Sequence, residues 1–102
     1  MNKIIASLIV LYLAIPLAAQ PGYVPRAGFV PDAATAIAVA RAVLIPIYGA
    51  PNIRAEEPLV AKRDRDVWTV TGTMQCHNCL GGVAEIKISA KDGHVLHVIH
   101  GQ

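Results

Sequence analysis

Residues 83–100 read VAEIKISAKDGHVLHVIH, and this stretch decides the fold. Apolar and polar side chains alternate from Val83 to Ala90. Ala84, Ile86, Ile88 and Ala90 fall on one face, and Val83, Glu85, Lys87 and Ser89 on the other. A period of two is that of a strand buried on one side. Lys91-Asp92-Gly93-His94 follows. Asp-Gly between two alternating runs is the strongest short hairpin signal, because glycine accepts the positive φ of the turn. Residues 94–100 return as the partner strand, with Leu96 and Val98 on one face and Val95, His97 and Ile99 on the other.

Working outward, residues 67–73 (VWTVTGT) are β-branched and aromatic and read as another strand. Trp68, the only tryptophan, stands mid-strand beside Val70 and reads as core. Asp64-Arg65-Asp66 is a turn, and residues 59–63 form a short strand before it. Further upstream the period changes. Ile37, Ala40, Leu44 and Ile47 make one apolar stripe at helical spacing, widened by Val39 and Val43. Asp32 is the expected N-cap. Pro46 removes a backbone donor and predicts a kink or early stop; Gly49 caps the end, and Pro51 blocks continuation.

The order is therefore a helix and then a meander. A helix with one apolar stripe and a sheet with one apolar face must cover each other. The expected class is α+β, with one main N-terminal helix on a four-stranded antiparallel meander, forming a single domain over residues 29–102. Residues 20–28 (QPGYVPRAG) read as an extended, loosely held linker.

Residues 1–19 carry one charge, Lys3, then an apolar run over residues 4–13, Pro16 and the small pair Ala18-Ala19. This is the pattern of a signal peptide cut after Ala19. The run falls short of the roughly 20 apolar residues of a membrane span. The expected product is periplasmic or secreted, without a stable membrane anchor after cleavage. The whole chain has a formal net charge of +2, and losing Lys3 leaves +1. That balance offers no electrostatic footprint for nucleic acid or anionic lipid.

Candidate chemistry is sparse. Cys76-His77-Asn78-Cys79 lies in a loop between two strands. A local disulfide between Cys76 and Cys79 is the first reading, since export permits one. A metal site would have Cys76, His77 and Cys79, three ligands at most, where structural zinc takes four. A redox dithiol lacks its usual helix N-terminus. His94, His97 and His100 alternate faces on a strand, so they do not converge. Glu56-Glu57 and Asp64/Asp66, interleaved with Lys62, Arg63 and Arg65, read as solvated mixed-charge turns. Ser89 is the only serine of residues 20–102, and no phosphate loop or zinc-protease helix is present in the sequence. No catalytic or cofactor-binding residue is identified, and the expected function is not enzymatic.

One ordered set of motifs is distinctive. It runs from Gly28-Phe29-Val30-Pro31-Asp32 through Thr35-Ala36-Ile37-Ala38-Val39-Ala40 and Pro46-Ile47-Tyr48-Gly49. It continues with residues 67–73, then Gly81-Gly82-Val83-Ala84-Glu85-Ile86, Asp92-Gly93 and His100-Gly101. This set resembles a family of small bacterial immunity proteins of polymorphic toxin systems, with a nuclear transport factor 2-like fold. The resemblance implies a cone-like α+β fold and neutralisation of a cognate toxin by direct binding. It brings no catalytic residues. The Cys76–Cys79 loop lies outside it.

The mixed face of Val83, Glu85, Lys87, Val95, His97 and Ile99 is the candidate partner-binding surface. The expected partner is a cognate toxin or another protein. An open sheet edge also permits a homodimer beside the monomer. Two other readings fit the residues. One is a small periplasmic inhibitor or chaperone-like module of the helix-on-sheet, cystatin-like type. The other is a redox or metal-binding protein using the Cys76–Cys79 loop.

Overall fold

A computed structural model describes residues 22–76 and 81–101. The expected signal peptide, its cleavage site after Ala19, and His77 and Cys79 lie outside the described residues. Helix α1 (Ala33–Tyr48) starts where Asp32 accepts the Thr35 backbone N–H at 2.8 Å and its hydroxyl at 2.7 Å. These bonds, the hydroxyl's first, hold the Asp32 carboxyl below the usual carboxylate range. Ala36, Ala40 and Leu44 form the buried line of α1, flanked by Ile37, Val39 and Val43. Two alanines on that line let the helix approach the sheet closely. Ile47, expected on the stripe, is 54% exposed, and Ile45 and Tyr48 are the side chains of the last turn that pack against the core.

Pro46 does not stop the helix, which runs on to Tyr48. Pro46 and Ala42 are both exposed, so water can serve the carbonyl that Pro46 leaves without a donor. Gly49 ends α1 with φ 92, a conformation that favours glycine, and its N–H donates to the Ile45 carbonyl at 2.8 Å. Pro51 does not end the helical region either. It stands in the first turn of a second helix, α2 (Ala50–Ala55), where its missing N–H is no loss. From α2, Ile53 enters the core.

Four strands follow: β1 (Val60–Asp64), β2 (Val67–Thr71), β3 (Ala84–Ser89) and β4 (Val95–His100). They form one antiparallel sheet in chain order, the meander expected from the alternation. Residues paired across antiparallel strands share a face. One inner row is Ala61, Val70, Ile86 and Val98; the next is Arg63, Trp68, Ile88 and Val95. Val70, Ala84, Ile86, Ile88 and Ala90 are fully buried beneath α1. Trp68 is 7% exposed, and its Nε1–H donates to the Val30 carbonyl at 2.8 Å. That bond fixes the segment before α1 onto the sheet. The N–H groups of Phe29 and Val30 add bonds to the carbonyls of Lys91 and Ala90. The linker thus ends docked, while Tyr23 and Val24 stay exposed.

One register detail corrects the sequence reading. Lys87 pairs with His97, but Ile88 pairs with Val95, so β4 holds a bulge there. The extra residue moves Val95 off the face of His97 and Ile99 and sets it opposite Ile88, on the inner side. α1 lies over β1, β2 and β3, and Val95 and Leu96 remain exposed. None of the described helices is long and apolar enough to cross a membrane.

The packing yields a graded expectation. Ile86→Ala should cost about 2–5 kcal/mol, as large-to-small changes in a closed core do. Trp68→Phe keeps most of the ring but deletes the bond to Val30, and should cost about 1 kcal/mol. Urea unfolding of both variants would check the order; equal losses would contradict it.

Candidate functional site

Two features stand out above the core: a buried acid at the joint between helices and sheet, and the uncovered side of the sheet.

The acid is Glu56, the residue that ends α2. It is 9% exposed, the one buried charged residue among those described. Its Oε1 accepts the Ala84 N–H at 2.6 Å, and its Oε2 meets His100 Nε2 at 2.9 Å. Its own carbonyl accepts the Thr73 N–H at 2.8 Å. The end of α2 is thereby tied to the start of β3, the end of β4 and the stretch after β2. Gly72 makes room for this: a Cβ there would lie 2.9 Å from Glu56 Cβ. The neighbouring Glu57 adds a second tie. Arg41 of α1 donates to both its oxygens, from Nε at 2.9 Å and from Nη2 at 3.1 Å. The Glu57–Pro58 peptide is cis. Gln75 donates to the Glu57 carbonyl, and the Thr73 hydroxyl to that of Pro58.

Beside this joint lies an open cleft of about 570 Å³, lined by Tyr48, Asn52, Ala55, Glu56, His100 and Gly101. A carboxylate, an imidazole and a tyrosine at a cleft have the composition of an acid–base site. The bonding ties the imidazole on both sides. His100 Nδ1 faces the Gly101 carbonyl at 3.0 Å while Nε2 faces Glu56. Both partners are acceptors, so only the doubly protonated ring satisfies both. Accordingly the His100 pKa is raised, chiefly by the bond to Glu56. Tyr48 tilts against the ring at 5.1 Å between centroids. The arrangement is a clasp.

The sequence reading placed Glu56 and Glu57 among solvated turns. Their partners lie 16 to 44 residues away in the chain, so no local pattern signals them.

The uncovered side of the sheet carries rows set by the register. Lys62, Thr69, Lys87 and His97 align in one, and Val60, Thr71, Glu85 and Ile99 in the next. Glu85, Lys87, His97 and Ile99 thus come together as expected, with Val83 just ahead of β3; Val95 does not join them. Val60 and Lys62 of β1 and Thr69 and Thr71 of β2 belong to the same surface, which only the strand register brings together. Val60 and Ile99 are 45% and 47% exposed. Val60, Lys62, Thr69, Thr71 and Gly72 line a shallow groove. Lys62 and Lys87 make no ion pair among the described residues. No three His, Cys, Asp or Glu side chains gather as a metal site among the described residues.

The sequence model of the NTF2 fold immunity protein family matches residues 35–102. The chain belongs to this family. No curated protein and no solved structure matches it. The match runs from the first turn of α1 past the end of β4, and so takes in Arg41, the Glu56–His100 clasp and the whole outer face. The helix packed on a four-stranded antiparallel sheet agrees with the α+β class of an immunity protein of this fold.

The clasp makes a pH-dependent contribution with a defined sign. A histidine whose folded pKa lies above its ordinary 6.5 stabilises fully below that value. The gain is lost as pH rises through the folded pKa. The difference in urea midpoint between the natural chain and His100→Gln should therefore shrink from pH 5.5 to pH 9. A constant difference would contradict the clasp. Gly72→Ala, which crowds Glu56, should cost about 1–3 kcal/mol at either pH.

Proposed function

We propose that this immunity protein is exported, cut after Ala19, and neutralises a cognate toxin by direct contact through the outer face of its sheet. Family membership over residues 35–102 is the observation that carries the immunity role. The choice of face rests on three features. None of the described helices packs on it, its side chains stand in rows fixed by backbone pairing, and it mixes apolar with cationic groups. Val60 and Ile99 supply exposed apolar contact, and Lys62, Lys87 and His97 form a basic row between the strands. A toxin surface carrying carboxylates and an apolar rim would complement it. A face held in one register has little to order on binding.

Neutralisation of this kind is non-catalytic: the chain occupies a surface. The reading is consistent with a cleft whose imidazole is already bonded on both sides. Export would place Cys76 and Cys79 where a disulfide can close the loop between β2 and β3. The delivered chain would then begin at Gln20 and be lighter by two hydrogens than its reduced form.

The test is co-expression with a candidate cognate toxin, followed by affinity measurement. Lys62→Glu with Lys87→Glu should weaken toxin binding at least about tenfold, a loss of 1.4 kcal/mol or more. Protection should fall in parallel, with the thermal midpoint nearly unchanged, since neither lysine is buried. Undiminished affinity would remove the outer face from the account. Failure of the unaltered chain to protect would remove the neutralising role.

A further inference from the structure

Three segments far apart in the chain meet at the turn end of the sheet, opposite the Glu56 joint. They are the arm before α1, the β1–β2 turn and the β3–β4 turn. Backbone bonds fix them to one another. The Ala90 N–H donates to the Asp66 carbonyl at 2.7 Å, and the Phe29 N–H to that of Lys91 at 2.9 Å. Within the arm, the Gly28 N–H donates to the Pro25 carbonyl at 3.0 Å. Gly28, at φ 90, lies so close to Ala90 that a Cβ would collide with the Ala90 carbonyl oxygen. The three segments line a cleft of about 320 Å³.

The charged side chains lining it are Arg26, Arg63, Lys91 and Asp66. Three cations against one carboxylate leave the cleft at +2, as much as the formal net charge of the whole chain. The near-neutral total thus conceals one local concentration of positive charge, and a recess focuses such a field. Arg26 and Lys91 are exposed and make no ion pair among the described residues.

Arg63 supplies the geometry. Its Nε–H donates to the Arg65 carbonyl at 2.8 Å, and its guanidinium lies over the Trp68 ring, 5.8 Å from the ring centre. These two contacts hold the group in place. Its Nη2 is 3.8 Å from Asp66 Oδ1, too long for a hydrogen bond, and the Asp66 side chain is 81% exposed. The terminal N–H groups of Arg63 therefore have no acceptor among the described residues. A guanidinium fork so held matches a pair of oxygens on one anion. With two further cations beside it, the cleft balances two negative charges, where a single carboxylate brings one. The outer row of Lys62 and Lys87 has ammonium groups on an open sheet face and no fork.

We propose that this cleft binds the phosphate of a phosphomonoester, which carries about −1.5 to −2 near neutral pH. Arg63 takes two of its oxygens, and Arg26 and Lys91 take the rest of its charge. The site uses none of the outer-face residues and is independent of the toxin reading.

The experiment titrates glycerol phosphate into the isotope-labelled full chain at neutral pH and constant ionic strength, followed by NMR. The dissociation constant should be on the order of 1 mM. The Arg63 Nε–H and the amides of Ala27 and Lys91 should shift, with Lys62 and Lys87 unmoved. Acetate should bind at least about tenfold more weakly. Arg26→Glu with Lys91→Glu should raise the constant for glycerol phosphate at least about tenfold. The unfolding midpoint should hold, because both side chains are exposed and unpaired. Vesicles of phosphatidic acid in phosphatidylcholine separate two sources of the same group. Sedimentation of the natural chain with them, but not of the double variant, assigns the ester to a lipid headgroup; binding of glycerol phosphate alone assigns it to a soluble ester. Absence of any shift by about ten times the expected constant would overturn the proposal. So would shifts centred on Lys62 and Lys87, or binding indifferent to the double variant.

Discussion

The Glu56 carboxylate is the interaction on which the placement of the other parts depends. One oxygen holds the first amide of β3 and the other holds the last ring of β4, while its backbone takes the chain leaving β2. A buried carboxylate is tolerated only when its oxygens are well supplied with donors. Here the carboxylate's partners come from two separate segments, the start of β3 and the end of β4, so satisfying the acid and assembling the sheet end are the same event. Gly72 follows from that arrangement, since a side chain there would occupy the space of Glu56. Arg41 and Glu57 repeat the device one residue on, fastening α1 to the same joint.

This joint also explains the two sides of the sheet. The helical layer is drawn over β1 to β3, and the inner rows close beneath it. The outer rows are left to solvent with their spacing already set by strand pairing. Under the proposed function those rows are the contact surface. The acid–imidazole pair beside the cleft joins the end of α2 to the end of β4, with both ring nitrogens of His100 bonded.

Local chemistry was legible in the sequence and long-range chemistry was not. The Asp-Gly turn, the alternation of residues 83–90, the Asp32 cap and the core position of Trp68 all depend on neighbours within a few residues, and the structure shows each of them. α2 was missed because Pro51 reads as a breaker until the preceding glycine is seen to restart the chain. Val95 was assigned to the wrong face because strict alternation carries no sign of a bulge. In the sequence Glu56 reads as solvated surface because its donors are distant along the chain. Four of the outer-face residues were found by alternation; those of β1 and β2 needed the register.

The account's central claim is that the sheet's outer face, held in place by the clasp, is where this immunity protein meets its toxin. The most direct measurement is an NMR map of the labelled chain with and without the toxin bound. The account predicts perturbed signals at Val60, Lys62, Thr69, Lys87, His97 and Ile99, with Tyr48 and His100 unmoved. Perturbation centred on the Tyr48–His100 cleft, with the outer rows unchanged, would contradict it.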